Sequence, residues 1–227
     1  MGLRLLQFNN LNWTIFQLDE RCILLQNDGD LSFDLLFQST ELVSRLLKDQ
    51  LEDIVPSYQS IALFTSLGTQ EIMMRLEGQI AEKDIIRKKQ STIRTIPICY
   101  EYGLDTDRIA QCNGLTVDSV IDLHVSGSYR ALFPGFMPGF VYAEGLSANL
   151  ICPRLETPRT QISAGSVGIG GNQTGIYGLD GPGGWNIIGR VPIPLFLPES
   201  RPPLHVLPGD KFEFYRISKE EFDQWES

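Results

Sequence analysis

The chain has 227 residues, 42% of them hydrophobic and 21% charged, and its formal net charge at pH 7 is −9. This composition is typical of a globular protein with a buried core, built as one large domain or as two of ordinary size. The acidic balance argues against a nucleic-acid partner, which would need a basic surface, and no apolar stretch is long enough to predict a membrane span.

The first 100 residues alternate between runs typical of strands and runs typical of helices. Apolar side chains recur at helical spacing in two segments, and Ser32 stands where it can cap the first of these helices. The predicted strands cover 12–19, 21–27, 61–65 and 91–100, and the predicted helices cover 33–51 and 70–89. This order predicts a compact two-layer α/β domain over residues 1–100, in which we find no pattern that points to chemistry.

Two short helices are predicted after this domain. The first covers about 105–114 and ends at Gly114. The second begins at Thr116 and reaches His124, and Gly127 is expected to cap its C-terminus.

The segment from Phe133 to Phe196 is dense in glycine, proline and aromatic residues. It holds 13 of the 21 glycines, seven of the 13 prolines and no lysine. Glycine permits positive φ, and proline fixes φ and removes a hydrogen-bond donor, so this mixture predicts short strands joined by tight turns. The large rings supply a core for them. We therefore expect a closed barrel or a sandwich over residues 101–227, and an α+β fold for the whole chain.

Two arginines in this segment are candidates for binding an anion. Arg154 and Arg159 each follow a proline, which stiffens the backbone, and a guanidinium held in this way can bind a carboxylate with two hydrogen bonds. An equally good interpretation is that they tie loops together across the barrel. His124 is favourably placed against a helix dipole, and both a structural role and a role in the site are open.

Three further residues suggest a pocket. Gln173 and Tyr177 stand among glycines and could line a polar cavity, although a hydrogen bond within a turn is as good an explanation. Trp185 follows Gly183 and Gly184. We interpret it as an anchor in the core or in an interface, in preference to a platform on which a ligand stacks. If Gly184 adopts positive φ, a valine there should destabilise the barrel.

Several tempting motifs fail on their context. The run 164–168 (AGSVG) approaches a nucleophile elbow, and Asp180 and His205 follow in the order of a hydrolase triad, but the glycine-rich run after Ser166 cannot form the required helix. The glycines do not form G-x-G-x-x-G, and no lysine completes a phosphate loop. The two histidines lie far apart, without a carboxylate placed to complete a ligand set. We expect no serine triad, no nucleotide site in this chain and no metal.

Cysteine usage bears on the compartment. The four cysteines, Cys22, Cys99, Cys112 and Cys152, form no C-x-x-C motif. We therefore expect reduced thiols and neither a disulfide framework nor a zinc site. The N-terminus lacks the apolar run of a signal peptide. Both observations favour a cytoplasmic protein.

Four long motifs carry a resemblance to a known family. They read LFPGFMPGFVYAEGL (132–146), PRLETPR (153–159), AGSVGIGGNQTGIY (164–177) and PGGWNIIGR (182–190). In this order they resemble the carboxyltransferase C/D family, which covers the B component of 5-oxoprolinase, the sporulation-kinase inhibitor relatives and the chains called allophanate hydrolase subunit 1. The similarity extends over nearly the whole chain.

The resemblance implies a small α/β domain followed by a cyclophilin-like β-barrel. It also implies a subunit of an ATP-dependent 5-oxoprolinase, a hydrolase that converts 5-oxoproline to glutamate together with a larger carboxyltransferase-type subunit and a third subunit. No cofactor is expected in this chain, and ATP is used by the complex. Two alternatives stay open: a regulator that inhibits a histidine kinase, and a subunit of a biotin-dependent urea carboxylase or allophanate hydrolase system.

The family's motif residues map onto this chain by the same resemblance. Those expected to bind substrate are Arg154, Arg159, Gln173, Tyr177 and Trp185. The candidates for catalysis are His124, Arg154 and Arg159, and the residues of the motif itself are Tyr129, Phe136, Gly139, Phe140 and Gly184.

Overall fold

The computed structural model describes residues 4–81 and 93–225, and the chain divides into two compact units, Met1–Lys89 and Gln90–Ser227. Each unit has its own sheet and its own helices. In the described part of the chain, no helix combines the length and the apolar character needed to span a membrane.

The first unit is a five-stranded antiparallel sheet in the order β1-β2-β3-β5-β4, with two helices. Its elements are β1 (Arg4–Phe8), β2 (Leu11–Gln17), β3 (Cys22–Asn27), α1 (Phe33–Leu47), β4 (Leu51–Ser57), β5 (Ser60–Thr65) and α2 (Thr69–Leu76). Alternating side chains such as Ile61 and Leu63 are fully buried, and Leu36, Val43 and Leu47 form the buried face of α1. The prediction of a two-layer α/β arrangement is confirmed for this unit.

The first helix is shorter than predicted. Its N-terminus is as expected, since the Ser32 side chain accepts a hydrogen bond from the backbone N–H of Leu35 at 3.3 Å. The helix ends at Leu47, however, and the chain passes through one 3₁₀ turn into β4, which was not predicted. Leu51–Ser57 lacks a strict alternation and contains a proline, which an edge strand tolerates because one side of it makes no ladder hydrogen bonds.

The second predicted helix also ends early, at Leu76 instead of continuing to residue 89. Ile80, which lies within the predicted helix, is exposed, and residues 82–89 lie outside the described residues. Strand β1 was not predicted; it pairs with β2 through a turn in which Asn9 and Asn10 both have positive φ, as tight hairpin turns require.

The second unit is a seven-stranded sheet that curves into a nearly closed barrel. Its elements are β6 (Arg94–Ile98), α3 (Thr106–Asn113), α4 (Val117–Val125), β7 (Ser128–Gly135), β8 (Met137–Glu144), β9 (Arg159–Ile162), β10 (Ser166–Gly170), β11 (Gln173–Ile176), β12 (Gly181–Gly183), β13 (Asn186–Arg190), β14 (Lys211–Arg216) and α5 (Lys219–Trp225). The sheet order is β13-β10-β11-β8-β7-β14-β6, and only β14 and β6 pair in parallel. Backbone hydrogen bonds between Cys99 and Arg190 join its two edges. Strands β9 and β12 form a separate two-stranded ribbon. The predicted α+β class is confirmed.

The predicted strand at 91–100 exists, but it does not belong to the N-terminal sheet. Residues Arg94–Ile98 pair with β14 in the barrel, and Ile96 and Ile98 are fully buried in the barrel core. The alternation of side chains predicts a strand without telling which sheet it joins, so the barrel unit begins before the expected boundary at residue 100.

Both short helices at the start of the second unit begin as predicted, but they end differently. Helix α3 ends before Gly114, as predicted, and Gly114, with φ of 65°, caps it in the left-handed conformation. Gly127 has no positive φ, so the predicted glycine cap of α4 is wrong. A Cβ at Gly127 would lie 2.5 Å from the Tyr129 hydroxyl oxygen, so this glycine is required for close packing against that side chain.

Candidate functional site

Both faces of the barrel sheet are covered by side chains, and the outer face carries the site. Along β8, Val141 and Ala143 point into the barrel core, while Phe140 belongs to a second apolar cluster and Tyr142 packs against it. Successive strand residues point to opposite faces, so this second cluster lies outside the barrel. Trp185 is one of its buried members.

The Trp185 indole lies on a surface made of glycines. In β10, Val167 and Ile169 alternate inward with Gly168 and Gly170 outward. A Cβ added at Gly170 would lie 2.6 Å from two indole carbons, and one at Gly168 would lie 3.0 Å from the Trp185 Cβ. The high glycine content of this segment is thus a packing requirement as well as a turn requirement.

A cavity of about 270 Å³ opens beside this indole. Its walls are the rings of Phe136, Tyr142, Tyr177 and Trp185, the segment carrying Arg154, Leu155 and Pro158, and the turn Pro182–Gly184. The volume is near the lower end of the range for small-molecule sites, and the mixture of aromatic walls with few polar groups is typical of them.

Arg154 supplies positive charge to the cavity. Its guanidinium carbon lies 5.4 Å from the centre of the Trp185 ring, a cation–π distance, and the residue is exposed. The next residue anchors the segment, since the Leu155 N–H donates to the Gly184 carbonyl at 2.7 Å. Within residues 4–81 and 93–225, no hydrogen bond or ion pair engages the Arg154 guanidinium, so its donors are available to an anion.

Tyr177 supplies a neutral donor. The side chain is fully buried, and its hydroxyl oxygen has no hydrogen-bond partner in the described part of the chain. Burial raises the pKa of this phenol. The nearby Trp185 backbone and the Arg154 charge act in the opposite direction, but burial has the larger effect. The group therefore stays protonated near neutral pH, and the residue forms part of the cavity wall.

Phe136 stands at the mouth of the cavity with strained backbone. It is the tip residue between β7 and β8, it has φ of 66°, and 63% of it is exposed. A bulky residue with positive φ is uncommon and costs energy, and such strain clusters at binding sites. Its ring makes edge contacts with Phe140 and Tyr177, at centroid distances of 5.7 and 6.4 Å.

Arg159 does not line this cavity. It donates two hydrogen bonds to the Asp105 carboxylate, at 2.9 and 2.7 Å, and Asp105 also accepts from the backbone N–H of Ile187 at 2.7 Å. The predicted bidentate contact with a carboxylate is therefore present, but the carboxylate belongs to Asp105 of the same chain and not to a ligand. Arg159 ties β9 to the start of α3 and to β13.

His124 also lies away from the cavity. It is fully buried among the rings of the barrel core, 4.9 Å from Phe214 and 5.2 Å from Tyr129 between centroids. Its Nδ1 lies 2.8 Å from the Tyr100 hydroxyl, and its Nε2 lies 3.2 Å from Thr174 Oγ1.

The tautomer of His124 follows from these contacts. Thr174 donates its proton to the Gly168 carbonyl, so Nε2–H donates to Thr174 and Nδ1 accepts from Tyr100. Burial lowers the pKa of His124 to about 3, so the ring is neutral. It is a satisfied core histidine, and its position argues against a role as a general acid or base.

The other predicted residues divide between the cavity and its supports. Gln173 lies at the hairpin end of β11, about 13 Å along the strand from Tyr177, and is not part of the cavity wall. Gly139 has φ of 76° and packs against Phe196, and Tyr129 donates from its hydroxyl to the His124 carbonyl at 2.6 Å. Gly184 lines the cavity, but its φ is not positive.

Sequence reasoning missed five residues of the cavity wall. These residues all stand inside the glycine- and proline-rich motifs, and none carries a charge: Tyr142, Leu155, Pro158, Pro182 and Gly183. The alternation of Phe140 with Tyr142 along β8 was the available signal, because it places two rings on one face.

The residues of the serine motif do not have the structural context of a nucleophile elbow. Ser166 is the first residue of β10 and is followed by a hairpin into β11, so no elbow and no following helix exist. Asp180 accepts a hydrogen bond from the backbone N–H of Ala164 at 2.7 Å. Among the described residues, no group of three or more His, Cys, Asp or Glu side chains could hold a metal ion.

Comparison of the sequence with known proteins gives a consistent result. The family described as carboxyltransferase domain, subdomain C and D, matches residues 13–206. The B component of the 5-oxoprolinase of Bacillus subtilis is 37% identical over 172 residues, which cover 75% of this chain and 72% of that protein. The B component of the Escherichia coli O157:H7 enzyme is 42% identical over 142 residues, which cover 62% of this chain and 65% of that protein.

Solved structures agree with the fold. A conserved uncharacterized protein from Pyrococcus horikoshii superimposes with a TM-score of 0.56 at 37% identity, covering 92% of this chain and 99% of that one. The urea amidolyase of K. lactis superimposes with a TM-score of 0.72 at 20% identity, covering 98% of this chain and 16% of that one. This second likeness is one of fold alone.

Proposed function

The chain belongs to the carboxyltransferase family of subdomains C and D, and on this premise we propose that it is the B component of a 5-oxoprolinase. Such a component works within a multi-subunit enzyme. We assign to it a larger carboxyltransferase-type subunit and a third subunit as partners, and the cytoplasm as the compartment.

The observation that carries the proposal is the cavity with one unengaged guanidinium, one unengaged hydroxyl and aromatic walls. 5-Oxoproline is a small flat lactam ring bearing a carboxylate. Arg154 would bind the carboxylate with its planar fork, and the exposed Phe136 ring at the mouth would pack against the lactam ring. The Tyr177 hydroxyl would donate to the lactam carbonyl oxygen.

The chemistry explains why this chain needs partners. An unstrained lactam is opened only when its carbonyl is activated and the developing oxyanion is stabilised. A protonated Tyr177 is suited to the second task. For activation we assign ATP, used by the complex and bound outside this chain, since the sequence carries no phosphate loop.

The test is an assay of glutamate release that depends on both ATP and 5-oxoproline. It is run on this chain alone, on the partner subunits alone and on the reconstituted complex. We expect activity only from the complex. Activity from this chain alone would disprove the shared site, and an inactive but assembled complex would disprove the substrate.

One further arm separates a urea amidolyase-type role. The same complex is offered urea together with a biotin carboxylase, a biotinylated carrier protein and ATP, and carboxyl transfer is followed with labelled bicarbonate. Carboxylation of urea without turnover of 5-oxoproline would assign the chain to a urea amidolyase-type system.

A further inference from the structure

Two cysteines outside the cavity wall lie in direct contact. The Sγ atoms of Cys112 and Cys152 are 3.0 Å apart, although the residues stand 40 positions apart in the sequence. Cys112 is on the last turn of α3, and Cys152 directly precedes the Pro153-Arg154 segment of the cavity. A disulfide bond is about 2.05 Å long, so closure needs a movement of about 1 Å.

The two thiols differ in a way that suits sequential oxidation. Cys112 is exposed and can meet a small oxidant, whereas Cys152 is fully buried. Burial raises the pKa of Cys152 to about 11, and its contact with Cys112 adds to this effect. Cys112 therefore suits the role of the attacking thiol, and Cys152 that of the thiol that resolves the intermediate.

We propose that Cys112 and Cys152 form a peroxide-sensitive pair that closes to an intramolecular disulfide. In the first step the Cys112 sulfur attacks a peroxide oxygen, an S–O bond forms, the O–O bond breaks and one water leaves. In the second step the Cys152 sulfur attacks the sulfenic sulfur, the S–S bond forms, the S–O bond breaks and a second water leaves. Both thiols are oxidised, and hydrogen peroxide is reduced to two waters.

The location links this pair to the cavity. Cys152 is paired with Gly171 through two backbone hydrogen bonds, and the following carbonyl, that of Pro153, accepts from Asn186 at 3.0 Å and from Arg108 at 3.4 Å. Pulling Cys152 toward α3 would disturb these contacts and displace Arg154. We therefore expect oxidation to raise the KM for 5-oxoproline several-fold; this consequence rests on the proposed function, whereas the disulfide does not.

The disulfide is tested on the full purified chain, without any partner. After titration with hydrogen peroxide, the intact mass should fall by two hydrogen atoms, and the free thiols should fall from four to two. The chain should stay monomeric on a non-reducing gel, and dithiothreitol should reverse the change. Four remaining thiols, added oxygen without loss of hydrogen, or a disulfide between two chains would each overturn the proposal.

Serine variants identify the pair. Cys152→Ser should gain oxygen atoms at Cys112, because no resolving thiol is left, and Cys112→Ser should keep its mass. Cys22→Ser and Cys99→Ser are matched controls and should still lose two hydrogen atoms. Loss of two hydrogen atoms in Cys112→Ser would overturn the assignment.

The consequence for the cavity is tested on the oxidised and reduced complex. An unchanged KM after complete disulfide formation would overturn the regulation. A reduced complex that never turns over 5-oxoproline would disprove the proposed function and leave the disulfide standing.

Discussion

The Arg159 guanidinium and the Asp105 carboxylate are joined by two hydrogen bonds, and the Asp105 side chain is 8% exposed. Lysine cannot reproduce this planar fork. We therefore expect Arg159→Lys to lower the free energy of unfolding by roughly 1–3 kcal/mol, since a largely buried carboxylate oxygen loses its partner. The KM for 5-oxoproline should stay near its original value.

Urea denaturation of Arg159→Lys is compared with that of Arg75→Lys. Arg75 pairs with Glu71 on the surface of α2, where a salt bridge contributes only about 0.3–0.5 kcal/mol. A stability of Arg159→Lys equal to that of the control, with a raised KM, would place Arg159 back among the substrate-binding residues.

Arg154→Ala should raise the KM for 5-oxoproline and leave the stability unchanged, the reverse of the result expected for Arg159→Lys. The guanidinium lies 5.4 Å from the centre of the Trp185 ring and makes no hydrogen bond or ion pair among the described residues, so its loss should leave the melting temperature nearly unchanged. A charged hydrogen bond to a ligand is worth roughly 1.5–3 kcal/mol, which predicts a rise in KM of about 10- to 100-fold. Arg201→Ala is the matched control, because among the described residues Arg201 donates only to the nearby carbonyls of Pro198 and Ser200. Equal KM values for both variants would contradict the assignment.

Tyr177→Phe should separate stability from activity. Its hydroxyl is buried without a partner among the described residues, so removing it should leave the free energy of unfolding unchanged or raise it by about 1 kcal/mol. Activity of the complex should fall at least roughly tenfold, because the oxyanion loses a donor. In Tyr129→Phe a satisfied hydrogen bond to His124 is lost, and that variant should be destabilised by about 1 kcal/mol. A destabilised Tyr177→Phe with full activity would refute the role of this hydroxyl.

Adding a side chain should have different effects on stability at Gly184 and at Gly170. At Gly184 a Cβ would lie 3.5 Å from the nearest Pro158 carbon, an ordinary contact, so the predicted destabilisation by Gly184→Val is withdrawn. We expect this variant to melt at the original temperature and to bind ligand poorly, because the added methyl groups enter the cavity. Gly170→Ala should instead displace the Trp185 indole, with a lower melting temperature and altered tryptophan fluorescence. Similar melting temperatures for the two variants would contradict this distinction.

Acid should destabilise the barrel through His124. Its pKa is lowered from 6.5 to about 3 in the folded chain by burial, so between these values only the unfolded chain takes up the proton. The stability conferred by the neutral ring is complete above pH 6.5 and falls as the pH falls, by about 1.4 kcal/mol per unit until the folded pKa is reached. Denaturation between pH 7.5 and 5 measures this slope.

His124→Gln should have a flatter profile than the original chain, since carboxylates contribute equally to both. His205 has a pKa lowered by partial burial first and by Arg94 second, so His205→Gln should remove a smaller part of the slope. Parallel profiles for His124→Gln and the original chain would show that His124 is not neutral in the folded state.

Local chemistry was readable from the sequence, and long-range pairing was not. Ser32 was predicted as a cap and Gly114 as the end of a helix, because both signals depend on residues within one turn. The partner of Arg159 lies 54 positions away, so the pattern of a proline-braced arginine could not distinguish an internal carboxylate from a ligand. For the same reason β6 was recognised as a strand and assigned to the wrong sheet.

The cavity was predicted in part. Tyr177 and Trp185 were chosen as rings near glycines, and both line it. Gln173 was chosen as a polar residue in the same run, but a strand carries it to the far end of the hairpin. The burial of His124 depends on rings from β7 and β14, which the helix-dipole argument did not include.

The order in which the strands meet constrains how the protein can be made. Strand β14 is the last barrel strand along the chain, yet it lies between β7 and β6. Until a ribosome has released Lys211–Arg216, those two earlier strands both present unpaired backbone edges. Closure of the barrel is therefore delayed until this strand has been synthesised, and a nascent chain stalled before this point would be an aggregation-prone intermediate.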